Sequence, residues 1–186
     1  MKKNSKRLGS QFERDIARLL SAWILGKDIE NKKEVKNTKL VVWRVGSSGS
    51  VSTINKQQNM HGDIVAVDEI AIPVLERFNF EVKRRKNFNL FSILNNEKKL
   101  DELFSWFMQA RIDDYIPILI LKVMYVGWYA ITDISSVYKL KCFCYDLPQH
   151  IRLILNGKTL VIFDLIDFLK WSYRYVRILI KDKNLT

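Results

Sequence analysis

Apolar positions along this chain fall into two periods. From Ser10 to about Leu25, Phe12, Ile16, Leu19, Leu20 and Trp23 lie on one stripe at helical spacing, which predicts a helix. Residues 1–9 read as a basic lead-in, and 26–39 as a polar loop or frayed helix. Leu40–Val45 predicts a strand, followed by the turn Gly46-Ser47-Ser48-Gly49-Ser50 and a polar loop to His61. Short strands are expected at Asp63–Val67 and Arg77–Arg84, with Asp68, Glu69 and Pro73 between them. Phe91–Ile112 reads as an amphipathic helix burying Ile93, Leu100, Leu103, Phe104 and Phe107. Strands at Ile116–Met124 and Trp128–Ile131 follow, then a strand at Lys139–Tyr145 and a helix over Leu160–Leu179. That order predicts an α/β fold, a mixed sheet flanked by helices.

Bulk properties narrow the partners. A chain of 186 residues is long enough for one well-buried domain with room for a small addition. Lys and Arg outnumber Asp and Glu by 31 to 20, and the resulting +11 attracts polyanions, nucleic acid first. Cys142 and Cys144 lie too close along the chain for a good disulfide, and no second pair completes a zinc site. They read as buried or half-buried thiols in a reducing cytoplasm. No signal peptide is visible, and the most apolar run, Tyr115–Ile131, is broken by Lys122 and Gly127, so no membrane span is expected. No phosphate-cradling Walker loop supports ATP use.

Candidate chemistry gathers on the two central strands. Glu81 and Lys83, two apart on one strand, share a face. If the strand opened by Asp63 pairs with theirs as a hairpin, two carboxylates and an amine cluster. Phosphodiester hydrolysis needs an activated water, neutralised charge at the phosphate and support for the leaving oxygen, and divalent metals held by carboxylates provide all three. Mg²⁺ takes a few carboxylates plus waters and phosphate oxygens. Asp63 and Glu81 fit that demand, the Val82 carbonyl could add a ligand, and Lys83 would orient water or stabilise developing charge.

Other residues keep two readings. Glu13 either closes a capping box with Ser10 or faces the sheet as a third carboxylate. Arg44 with Ser47, Ser48 and Ser50 suits a phosphate, or is part of a plain turn. Glu97 enters a cleft, pairs with Lys83, or sits exposed at a helix end. Arg84, Arg85 and Lys86 extend Lys83 into a basic run that guides a DNA backbone or is solvated surface. Trp171, Tyr173, Arg174, Tyr175 and Arg177 stack on bases or form core with solvated arginines. His61 lines the cleft or is surface; with only His61 and His150 in the chain, histidine-based nuclease chemistry is not expected.

Four pieces in order carry a resemblance: Gly9-Ser10-Gln11-Phe12-Glu13-Arg14, Trp43-Arg44-Val45-Gly46-Ser47-Ser48-Gly49-Ser50, Gly62-Asp63-Ile64 and Glu81-Val82-Lys83. Over about residues 9–131 the chain resembles the PD-(D/E)XK nuclease superfamily. It is similar to archaeal Holliday junction resolvases and, more closely, to endonucleases of phages and prophages. The resemblance implies a restriction-endonuclease-like core over 1–135, with 136–186 as a C-terminal extension packed on it. It implies Mg²⁺ or Mn²⁺ as cofactor and DNA, duplex or branched, as substrate. It further implies a homodimer and a cytoplasmic location in a phage or prophage host. By position, Asp63, Glu81 and Glu13 would bind metal, Lys83 would be the catalytic lysine and Ser48 would lie near the phosphate. The motif's usual Pro before Asp is Gly62 here.

The leading expectation is therefore a metal-dependent DNA endonuclease. The alternative is a non-catalytic DNA-binding protein on a nuclease fold, which the positive charge fits equally well. A third reading makes the aromatic C-terminal segment an interaction module.

Overall fold

The computed structural model describes residues 2–45, 62–85, 96–123 and 126–183. Helix α1 spans Lys2–Ile24 and α2 Lys32–Asn37. Strands β1 (Val42–Arg44) and β2 (Ile64–Ala66) form an antiparallel pair. A 3-10 turn (Glu69–Ala71) and α3 (Ile72–Leu75) lead into β3, Phe78–Arg85. Then come α4 (Glu97–Ala110), β4 (Ile116–Val123), β5 (Gly127–Asp133), α5 (Ile134–Lys141), β6 (His150–Leu155), β7 (Lys158–Asp164) and α6 (Leu165–Lys183).

The main sheet has the order β3-β4-β5-β7-β6. β3 and β4 are parallel and the other pairs antiparallel. A parallel pair needs a crossover, and α4 lies within it. On one face, α1 and α6 cover Phe78, Phe80, Val82, Ile118, Ile120, Val161 and Phe163. On the other, Leu103, Trp106 and Phe107 of α4 cover Leu119, Leu121, Ile131, Leu160 and Ile162. Trp23 ties the first layer together: its ring meets Phe78 and Phe80 edge-on, and its Nε1–H donates to the Leu169 carbonyl at 2.7 Å. This is the α/β arrangement of a mixed sheet between helices, a restriction-endonuclease-like fold.

Several expectations require correction. The lead-in is helical, because α1 begins at Lys2, so Ser10 is interior and its amide is already used by the helix. The capping-box reading of Glu13 therefore fails. β2 makes no hairpin with β3. It pairs with β1, and the eleven residues between Ala66 and Phe78 hold the 3-10 turn and α3. The strand expected at Lys139–Tyr145 is the end of α5 and a turn. Asp133 caps α5 by accepting from the Ser136 amide at 2.7 Å, and Val137, Leu140 and Cys144 point inward at helical spacing. The helix expected over Leu160–Leu179 begins at Leu165. Leu160–Phe163 lie in β7 and are buried, alternating between the two helix-covered faces, so no polar positions alternate with them. β6, for which no element is expected from the sequence, adds an edge strand paired with β7. The stretch after residue 135 thus supplies two of the sheet's five strands. Phe91 and Ile93, assigned to the helix before β4, lie outside the described residues.

Among the described residues no helix is long and apolar enough to cross a membrane. Cys142 is exposed and Cys144 buried, both free thiols.

Candidate active site

Asp63 is held at the edge of β3 by main chain and side chain together. Its N–H donates to the Phe80 carbonyl at 2.8 Å, and its carbonyl accepts from the Val45 amide at 2.8 Å. Its Oδ2 accepts from the Val82 N–H at 2.8 Å. Asp63 therefore reaches β3 without the hairpin that the sequence suggested. Amide and carbonyl of one strand residue point to the same side, so the Val82 carbonyl is also directed toward Asp63 rather than toward β4.

The residue before it has a backbone to match. Gly62 sits at φ +79°, and a Cβ built there would lie 2.4 Å from Asn79 Oδ1 and 2.5 Å from the Phe80 carbonyl oxygen. Only glycine tolerates both the left-handed backbone and that approach. Proline, locked near −65°, cannot adopt it. The departure from the usual Pro is thus built into how this chain docks Asp63 on β3. Asn79, itself buried, is braced from the far side by donating from Nδ2 to the Ala110 carbonyl at 2.7 Å.

Glu81 and Lys83 share the α4 face of β3 with Asn79, opposite Phe80 and Val82, and the Lys83 ammonium donates to Glu81 Oε1. Glu81 is only 7% exposed. Burial pushes its carboxyl pKa above the usual range, and the hydrogen bond from Lys83 pulls against that shift. The negative charges of Asp63 and, more weakly, Glu13 push it further up. Two acids and an ammonium group thus converge, with Glu13 within electrostatic reach.

Glu13 itself is turned to Arg44, whose Nη1 donates to its Oε2 at 3.2 Å, both side chains being about one quarter exposed. Among the described residues no group of three or more His, Cys, Asp or Glu side chains is disposed to hold a metal ion. In this conformation Glu13 is paired rather than gathered with the other two acids. Arg85 lies 4.5 Å over the Trp106 ring and 3.5 Å from Glu102, so α4 holds it. Arg84 is half-buried on the α1 face. Ser48, Lys86 and His61 lie outside the described residues, as do Ser47 and Ser50.

Two alternatives resolve toward structure. Glu97 is exposed in the first turn of α4, after the Asn96 cap, while Lys83 pairs with Glu81. Trp171 is buried against Phe163 and Phe168, and Arg174 lies over Tyr145, so this aromatic run is chiefly core. An open cleft of about 560 Å³ lined by Tyr145, Lys170, Trp171 and Arg174 shares no residue with the acidic cluster. Sequence reasoning missed Asn79, which ties β3 to the Ala110 carbonyl of α4, and Glu102 of α4, which pairs with Arg85. A polar residue flanked by Phe78 and Phe80 was the available signal for Asn79.

No curated protein and no solved structure matches the chain. The model of one family, described as "phage putative PDDEXK endonuclease", matches residues 4–172. That span runs from α1 through β7 into α6, and includes Asp63, Glu81 and Lys83 in the motif's order. The chain belongs to this phage family of PD-(D/E)XK endonucleases and is, at that level, a nuclease.

Proposed function

We propose that this protein is a divalent-metal-dependent endonuclease that hydrolyses DNA phosphodiester bonds, with Asp63, Glu81 and Lys83 as its reactive set. The observation that carries the reading is the docking of Asp63 on the Val82 amide, which sets its carboxylate beside the Glu81–Lys83 pair. These residues suit Mg²⁺ or Mn²⁺. Glu81 is crowded by burial and by two neighbouring negative charges, a stress that a cation relieves. Asp63 and Glu81 would hold it with the Val82 carbonyl, and Glu13 would join on release from Arg44. When bound, the cation supplies positive charge at the phosphate and makes water a stronger nucleophile.

The rest is the work of the chain. Water oxygen bonds to phosphorus and gives up a proton, the bond from phosphorus to one sugar oxygen breaks, and that oxygen takes up a proton, so one water is consumed for each bond cut. Lys83 places a positive charge where negative charge develops, in a partly buried site where it counts for more than in bulk water. Arg44, Arg84, Arg85, Lys86 and Ser48 would contact the backbone on either side. The +11 charge supports DNA as the partner. Branched DNA bound by a homodimer is the finer form of this reading, and its support is the likeness to junction resolvases.

The test is a panel of labelled linear, nicked, flapped and four-way DNA with Mg²⁺ or Mn²⁺ and with chelator. Cleavage should require metal and vanish in Asp63→Ala. An Asp63→Ala protein that cuts at the wild-type rate defeats the assignment. Tight, salt-sensitive binding with no cleavage under either metal would select the non-catalytic alternative.

A further inference from the structure

One cation near this site lies outside the proposed machinery. Lys122 pairs with Arg84 across β3–β4 and with Trp128 across β4–β5, so the three form a row at the carboxyl ends of β3 and β4. Cross-strand partners share a face, and here it is the α1 face, since Phe12 meets the Trp128 ring edge-on at 5.3 Å. The Lys122 ammonium lies 5.4 Å from the Phe12 ring and 5.0 Å from that of Trp128. Among the described residues it makes no ion pair. Asp15, the acid whose charge reaches it, accepts from Gln11 at 2.9 Å and stands 4.0 Å from Arg18. Burial first, and the Arg84 charge second, lower its pKa below the usual lysine range. A half-buried ammonium beside a like charge, with no carboxylate in ion-pair contact and Asp15 shared with Gln11 and Arg18, is an environment that an anion improves.

The position names the anion. Lys83 and Arg84 are consecutive on β3 and so project to opposite faces. Glu81 and Lys83 lie on one side of the strand end, Arg84 and Lys122 on the other. A nucleic-acid strand crossing that end meets both.

Resting on the nuclease reading above, we propose that Lys122, alongside Arg84, seats a DNA backbone phosphate flanking the one that is cleaved. The rings of Phe12 and Trp128 orient the ammonium and strip part of its hydration, and the phosphate provides the missing negative charge.

The experiment measures binding of a fluorescein-labelled duplex and four-way junction by anisotropy, in EDTA, across about 50–400 mM NaCl. Lys122→Met keeps the stem packed between the rings and removes the charge. Affinity should fall about eight-fold at 0.1 M salt, and the slope of log K against log salt should shrink by about 0.9, as expected for one phosphate contact. Lys122→Arg should hold both within two-fold. Lys122→Gln repeats the charge loss should the Met variant fail to fold. Met or Gln proteins with a wild-type melting midpoint, affinity and slope overturn the proposal while leaving the nuclease reading intact. A wild-type protein that shows no salt-dependent DNA binding overturns both.

Discussion

Gly62→Ala is the sharpest perturbation of the site, because it alters no charged group. The new Cβ would lie 2.4 Å from Asn79 Oδ1 and 2.5 Å from the Phe80 carbonyl oxygen, at a φ of +79°. Holding an L-residue in that backbone region costs about 1–2 kcal/mol. Relieving the overlap adds about 1–3 kcal/mol, since one of the two atoms belongs to the β3 backbone and Asn79 is pinned to Ala110. A combined loss near 3 kcal/mol lowers the melting midpoint of a chain this size by about 6–12 °C. The strain is relieved most easily by moving residue 62 off β3, and that drags Asp63 away from Phe80 and Val82. A displacement of about 1 Å at a reacting group costs about 100-fold in rate. The assay pairs thermal melting with single-turnover cleavage, and DNA binding in EDTA separates positioning from unfolding. Binding should survive at temperatures where cleavage is lost. Gly62→Pro, although it restores the superfamily's usual residue, should do worse than Ala. An Ala protein that melts within a degree of wild type and cuts at full rate would refute this docking of Asp63 on β3.

Glu81→Gln should abolish cleavage yet raise the metal-free melting midpoint at pH 8. Because the folded-state pKa of Glu81 is raised, the folded protein holds its proton longer than the unfolded chain. Metal-free stability therefore falls as pH rises from the ordinary glutamate range through the raised value, and melting curves in EDTA across pH 4–8 should show that component disappear in the Gln variant. Lys83→Met should slow cleavage by about 10²–10³-fold while weakening DNA binding far less, checked by single-turnover rates against anisotropy. Truncation after residue 135 should leave a protein without cooperative unfolding by circular dichroism. It removes β7 from its place beside β5 and α6 from Trp23 and Phe78, exposing an unpaired edge and a bare apolar face.

Much of the candidate site was legible because its motifs are local. Glu-Val-Lys on a strand needs only the two-residue period to put Glu81 and Lys83 on one face, and the structure has them paired there. Helix α1, helix α4 and strands β3, β4 and β5 were readable because their apolar periods are long or bounded by clear breaks. The tail was not. Leu160–Phe163 is a continuous apolar run, and such a run looks alike in a strand covered on both faces and in a buried helix. Asn156-Gly157, both at positive φ, forms the β6–β7 turn, a hairpin signal that the local sequence does carry.

What the amino-acid order could not contain is distance between remote segments. It contained the residue types that the proposed chemistry needs and their local spacing. It did not say that Asp63 reaches β3 through its own carboxylate and a left-handed glycine instead of through a hairpin. Nor did it say that Glu13 would turn to Arg44, or that Lys122, a mere interruption in an apolar run, would line up with Arg84. Those outcomes depend on which strand pairs with which and in what register. Pairing is settled by burial summed over the whole core, with Trp23, Phe78, Phe80 and Phe163 packed between α1, α6 and the sheet.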